Sequence, residues 1–380
     1  MATMTSVVGP GDDAGTTRDL RRASGVARAC RVTYWTGWLS PEMEGCSKEV
    51  FALKDHFPRS RIFGLSRYYQ IRASAGKRYL GFNVRWYPAF RLLAPIYEAW
   101  TEINHIYGGI ADWFFLRTLR HRPIVLTLAT DSQPLQPAMY RHVQRYIVHS
   151  VRASRELAAW GFDPEMVRLI YPGIDLNRYH PAQSSSEAAW PRQNGSRLRV
   201  LFATAPTSPE QMDARGVTLL LDAAARLRDV EFVLLWRPWP ETSRLIQEYV
   251  ARRGLSNVFV STNVVRDMTA VFHSVDATTA PFTESAGMKV CPTSLVESLA
   301  CGKPLLISKH VGLADLVEEH TCGEVFEPTV DAFCVAVARL REHHAAYALN
   351  ARRCAERHFD QHECFRRYAR LYHETLVSRC

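Results

Sequence analysis

The sequence contains no Asp-x-Asp pair, no Cys-x-x-Cys pair and no apolar run near the roughly 20 residues that a membrane-spanning helix needs. The first absence removes one common carboxylate pair for holding a divalent ion. The second, with nine cysteines scattered from Cys30 to Cys380, excludes a disulfide framework and a cysteine zinc site. The thiols are therefore expected to be reduced and mostly buried. Residues 1–28 lack the apolar stretch of a secretory signal and read as a polar, Arg-dotted, disordered leader, so the chain is expected to be cytoplasmic. No repeat of solenoid period is visible.

What is present suits a folded protein of two domains: 380 residues, 47% hydrophobic and 22% charged. The net charge of +9 is unevenly placed. Residues 1–180 hold 24 of the 47 basic side chains and 15 of the 38 acidic ones, and residues 51–122 hold 12 basic against 4 acidic. The first half is thus expected to meet an anionic partner or surface. No nucleic-acid-binding motif accompanies the charge, and nucleic acid is not an expected partner.

Short apolar strands alternate with helical segments along the chain, the pattern of parallel α/β sheets. Strands are expected at Arg31–Trp35, Ile103–Ile106, Ile124–Leu128, Tyr146–Ser150, Val200–Ala203, Glu231–Leu235, Val258–Val260, Ala277–Ala280 and Pro304–Ser308. A polar stretch at 183–197 separates two such series. Apolar residues spaced by three and four between Ala351 and Leu376 predict a final amphipathic helix.

The densest motif runs from Pro281 to Ser308 as strand, Gly-containing loop, short helix and strand. Ser294 and Glu297 have the spacing of a capping box, which predicts a helix start at Ser294 or Leu295. Its first N–H groups would face the loop and favour an anion such as a diphosphate. Gly302 stands where a helix-terminating glycine belongs.

Glu297-Ser-Leu-Ala-Cys-Gly-Lys-Pro304 resembles the C-terminal signature of family-4 glycosyltransferases, "E-A-x-A-C-G-x-P". Leu169-Ile-Tyr-Pro-Gly-Ile-Asp-Leu-Asn-Arg-Tyr-His-Pro181 is similar to that family's interdomain "V-I-P-N-G-V-D-x-x-x-F-x-P". Val200–Ala203 with Arg215–Ala224 resembles its "I-L-F-V-G-R…K-G-x-x-x-L-L-x-A". The resemblance covers roughly residues 145–375 and implies a GT-B fold, two Rossmann-like domains facing across a cleft. The implied divisions are a 1–28 leader, an acceptor domain at 29–182, a 183–197 linker, a nucleotide-sugar domain at 198–355 and a crossover helix at 356–380 that returns to the first domain.

The same resemblance implies residue roles. Glu297 would hold the ribose hydroxyls, Thr293 and Ser294 would face the diphosphate, and Arg215, in the family's Lys position, would neutralise the leaving nucleotide. Three departures shift the remaining roles. The family's first Glu falls at Lys289 when counted back from Glu297, and at Glu284 when counted from the loop's start. Glu284 is taken as the sugar contact and Lys289 as an added phosphate ligand. Thr204-Ala205 replaces the family's "G-R", so Lys289 or Arg237 is expected to supply the missing cation. Where the family often has a His after the strand at Val125–Leu128, Asp131 is the nearest polar candidate to face the acceptor, with capping of a turn as its other reading. Gly45 would let the backbone approach the sugar closely, while His105 reads as a core or strand-end histidine.

The implied function is transfer of a sugar from a nucleoside diphosphate sugar to an acceptor hydroxyl, with retained configuration, no cofactor and no metal. A sugar phosphorylase or synthase on the same fold, and a degenerate nucleotide-sugar-binding protein, are the alternatives. The acceptor is left open among a glycan, a lipid-linked and a small-molecule hydroxyl. Cations and aromatics interleave between Arg59 and Arg91, a composition suited to peripheral docking on an anionic membrane surface; a soluble anionic acceptor, or core aromatics with solvated cations or a cleft for a phosphorylated acceptor, are the alternatives.

Overall fold

The computed structural model describes residues 30–37, 45–66, 80–83, 87–108, 113–130, 135–184, 187–190 and 197–378. Two parallel sheets organise them. The first has β1 (Val32–Thr36), β2 (Arg61–Ser66), β3 (Leu80–Asn83), β4 (Ile103–Gly108), β5 (Ile124–Leu128), β6 (Val143–Val148) and β7 (Val167–Leu169), ordered β3-β2-β1-β4-β5-β6-β7. The second has β8 (Leu198–Phe202), β9 (Val230–Leu235), β10 (Val258–Ser261), β11 (Ala277–Ala280), β12 (Leu305–Ser308) and β13 (Gly323–Phe326), ordered β10-β9-β8-β11-β12-β13. In each, the strand order reverses beside the first strand, between β1 and β4 and between β8 and β11. Such a reversal opens a crevice at the carboxyl ends of the strands, where ligands of doubly wound folds sit. Two Rossmann-like domains facing across a cleft, as the resemblance implied, is the observed architecture.

The central strands read as continuous apolar runs because helices cover both faces. All five residues of β1 and of β5 are buried. The strand β2, which the sequence reading did not isolate, carries Ile62 and Phe63 into the core, where Phe63 and Phe90 pack on Trp35. Two of the stretch's aromatics, Phe63 and Phe90, are therefore interior, while Arg59, Arg61 and Arg91 are exposed. Arg67, Arg72, Lys77, Arg78 and Arg85, with Tyr68, Tyr69, Tyr79 and Trp86, lie outside the described residues.

The final segment is two helices rather than one. The Val330–His358 helix buries Phe333, Val337 and Leu340 against the second sheet. It ends at Phe359, and Asp360 then caps the Gln361–Val377 helix by accepting from the amides of His362 (2.7 Å) and Glu363 (3.0 Å). The apolar periodicity runs through this break and hides it. The second helix returns to the first domain, where Phe365, Tyr368 and Tyr372 join Val32, Tyr34 and Phe57 in one core. His105 is wholly buried there, bonded to the Tyr372 hydroxyl and to Thr127 Oγ1, each at 2.7 Å. It is a satisfied core histidine.

Candidate functional site

A cavity of about 200 Å³ lies in the cleft. Its second-domain wall includes residues just beyond three strand ends: Ala203 and Thr204 after β8, Trp236 to Pro238 after β9, and Phe282 after β11. The first domain contributes Gly45 and Lys48 from the Gly45–His56 helix.

The Thr293–Ala300 helix aims its N-terminus into this cavity. It starts one or two residues earlier than the capping-box spacing predicts, because Pro292, at φ −59°, occupies the cap position and has no side-chain acceptor. The capping box does not form. The first-turn amides at Thr293 and Ser294 project from this end, with the positive end of the helix dipole. At the other end Gly302 adopts φ +68°, its N–H bonds to Leu299 O and that of Lys303 to Ser298 O. This termination turns the chain sharply into β12.

Glu297 is released from capping and serves the cavity. It is 3% exposed, and its Oε1 accepts from the Tyr179 hydroxyl (2.8 Å) and from Lys48 Nζ (3.3 Å). Tyr179 belongs to the connector between the sheets and Lys48 to the first domain, so three separate segments meet on one carboxylate. Arg215 Nη1 donates to Thr204 O (2.9 Å), and its guanidinium lies over the Phe282 ring at 5.9 Å. Arg237 lines the wall nearby.

Lys289 binds the carboxylate of Glu49 across the cleft and donates to Thr293 Oγ1 at 2.7 Å. Burial opposes the lysine's charge, but the Glu49 carboxylate outweighs it and raises the Lys289 pKa. Burial likewise opposes the charge on Glu49, and Lys289 together with His149 and the Tyr107 hydroxyl lowers its pKa. The backbone reinforces the crossing: Val290 N donates to Ala129 O at 2.9 Å, and Thr130 and Lys289 form an antiparallel bridge. A Cβ on Gly45 would stand 2.2 Å from Thr293 Oγ1 and 2.6 Å from Lys289 Nζ, so any larger residue here would displace these two side chains. His149, fully buried beside the ion pair, has no hydrogen-bond partner on either ring nitrogen among the described residues, and burial lowers its pKa to about 4.

Seven of the residues singled out in the sequence therefore line one cavity: Gly45, Arg215, Arg237, Lys289, Thr293, Ser294 and Glu297. Glu284 is exposed and is not among the lining residues. Asp131 lies outside the described residues, one position beyond Thr130. Lys48, Glu49 and Tyr179 were missed. The first two share a face with Gly45 at helical spacing, the only local signal they carried.

Residues 200–343 match the family model described as glycosyl transferases group 1. Among solved structures, HepE of Anabaena in complex with UDP superposes with a TM-score of 0.72 at 19% identity, over 92% of this chain and 100% of that one. Sucrose-phosphate synthase of Thermosynechococcus elongatus gives 0.73 at 16% identity, over 92% and 100%. WaaG, a glycosyltransferase involved in lipopolysaccharide biosynthesis, gives 0.65 at 15% identity, over 90% and 99%. No curated protein sequence matches the chain. The shared fold is GT-B.

Proposed function

We propose that this chain, a GT-B protein with a group 1 glycosyltransferase domain at residues 200–343, transfers a hexosyl unit from a nucleoside diphosphate sugar to an acceptor hydroxyl. One observation carries the reading: a buried carboxylate, a helix N-terminus and the cations Lys48, Arg215, Arg237 and Lys289 converge on a single cleft cavity. Glu297 accepts hydrogen bonds from the ribose diol in exchange for those from Tyr179 and Lys48. The amides of Thr293 and Ser294 bind the diphosphate, and Arg215 and Lys289 neutralise the charge that develops when the sugar–phosphate bond breaks. Cations in these places make a divalent ion unnecessary, and the family resemblance implies retained configuration. HepE is bound to UDP, which makes a uridine nucleotide the first ligand to try. A thermal-shift screen of the full chain against UDP, GDP, ADP and TDP tests the reading, since one nucleotide should raise Tm by mass action and the others less. No shift with any of the four at millimolar concentration would contradict it.

The acceptor is proposed to be lipid-linked and met at an anionic cytoplasmic leaflet. The observation favouring this is an apolar stripe on the Tyr87–Ala99 helix and just beyond it, with Leu92 80%, Ile96 59% and Trp100 58% exposed at intervals of four. Exposed Arg91 precedes Leu92 in the helix, and exposed Arg61 lies over the Trp100 ring at 5.5 Å. Apolar residues that enter a membrane interface, rimmed by cations, bind anionic lipid. Co-sedimentation with vesicles should rise with phosphatidylglycerol content and fall in a Leu92→Ser, Ile96→Ser, Trp100→Ser variant. Binding that is indifferent to both would exclude this surface.

A further inference from the structure

The connector between the two sheets carries a cluster that the transfer chemistry does not use. Ligand atoms of His180, Glu187 and His273 all lie within 4.8 Å of one another. His273 ends the Met268–His273 helix of the second domain, while His180 and Glu187 belong to the connector. We propose that these three side chains form a zinc site that fastens the interdomain connector to that helix.

The hydrogen bonds around the cluster decide which nitrogens are available. His273 Nε2 lies 2.7 Å from the carbonyl oxygen of His180, and His180 Nδ1 lies 2.9 Å from that of Pro181. A carbonyl oxygen only accepts, so in both rings the nitrogen facing it carries the proton. That leaves His273 Nδ1 and His180 Nε2 as lone pairs. A second interaction that fixes the tautomer in this way is the usual arrangement behind a metal-bound histidine.

His273 Nδ1 has no hydrogen-bond partner among the described residues, although its side chain is only 2% exposed. It stands 3.3 Å from Glu187 Oε2. The Glu187 carboxylate is itself held by the Gln183 amide at 3.3 Å. The two imidazole rings are 5.6 Å apart between centroids. Tetrahedral zinc with bonds near 2.1 Å separates its ligands by about 3.4 Å, so small side-chain adjustments complete the site. Two imidazoles and one carboxylate suit zinc better than magnesium or calcium, which favour oxygen ligands. The fourth position is left to water.

The site's place in the fold gives it a consequence. The helix of His273 already holds the connector through Thr269 Oγ1, which donates to Arg178 O at 3.4 Å, and Ala189 N donates to Ala270 O at 2.9 Å. His180 directly follows Tyr179, whose hydroxyl binds Glu297. Zinc thus fixes the segment on which one partner of the cavity carboxylate is mounted, and its role is structural, independent of the proposed transfer reaction.

The test uses untagged full-length protein, stripped with EDTA and titrated with zinc chloride against a chromophoric chelator. One zinc per chain is expected, with a rise in Tm that magnesium does not produce. His180→Gln and Glu187→Gln change side chains that are not buried and should leave the fold intact while weakening zinc at least 100-fold. Cobalt substitution should give the visible bands of a four-coordinate nitrogen–oxygen site. Absence of stoichiometric zinc, zinc binding unchanged in both variants, or the intense bands of cobalt thiolate would each overturn the proposal. The first result would leave His273 and Glu187 as an ordinary polar contact.

Discussion

Lys289 and Glu49, 240 positions apart in sequence, form a buried ion pair across the cleft, with the lysine also bonded to Thr293 at the mouth of the cavity. The pair ties the closeness of the two domains to the position of the residue proposed to meet the diphosphate.

Removing one member of this pair strands the other. Lys289→Met leaves the Glu49 carboxylate buried without its cation and is expected to cost roughly 3–5 kcal/mol. The double variant Lys289→Met, Glu49→Gln should recover most of that. Urea denaturation of the two proteins checks this, and equal losses in both would refute it. The lowered pKa of Glu49 and the raised pKa of Lys289 give a pH range as well. The glutamate's contribution is present above its unfolded value of 4.5, and that of the lysine below 10.5, so the pair should stabilise evenly between these limits.

His149 predicts the acid limb. Its pKa falls from 6.5 to about 4 in the folded chain, so the unfolded state binds more protons over that interval and stability drops as pH falls through it. His105, lowered by burial to about 3, adds to the same slope. His149→Leu should remove about 1.4 kcal/mol per pH unit of this dependence between pH 6.5 and 4. It should not lower stability at pH 7, since an unpartnered polar group leaves the interior. A variant with the wild-type slope would contradict this assignment.

The returning helix is expected to be indispensable. Ending the chain at Asp360 uncovers Val32, Tyr34 and Phe57, and the truncated protein should aggregate. A soluble monomer of that length in size-exclusion chromatography would disprove the dependence. Tyr372→Phe, which removes only the hydroxyl bonded to His105, should cost about 1 kcal/mol.

Much of the fold was legible because central parallel strands are buried on both faces and read as apolar runs. Among the strands missed, β2 and β3 carry a glycine among their apolar residues, β7 has three residues at a sheet edge, and β13 opens on Gly323-Glu324 before its two apolar residues. The break at Phe359 was hidden by apolar residues that continue in helical spacing on both sides, although Asp360 carried the signal of a cap. In the site, the helix-terminal glycine was readable from a local motif, and the grouping of Arg215, Lys289, Thr293 and Glu297 from the family resemblance. The partners of Glu297 were not, since Tyr179 and Lys48 lie 118 and 249 positions away and belong to other segments. The capping-box spacing was misread for the same reason. A carboxylate drawn to a distant hydroxyl and ammonium leaves its own helix end to proline. His180, Glu187 and His273 likewise have no spacing that a sequence pattern could register.

The most direct measurement of the central claim is calorimetric titration of the nucleotide that the thermal screen selects, in EDTA, into wild type, Glu297→Gln and Arg215→Met. Glu297→Gln keeps an acceptor for Tyr179 and should stay folded. The account predicts wild-type binding that magnesium does not strengthen, and losses of at least tenfold in each variant, about 1.4 kcal/mol or more. Wild-type affinity in both variants, or binding that appears only with magnesium or manganese, would contradict it.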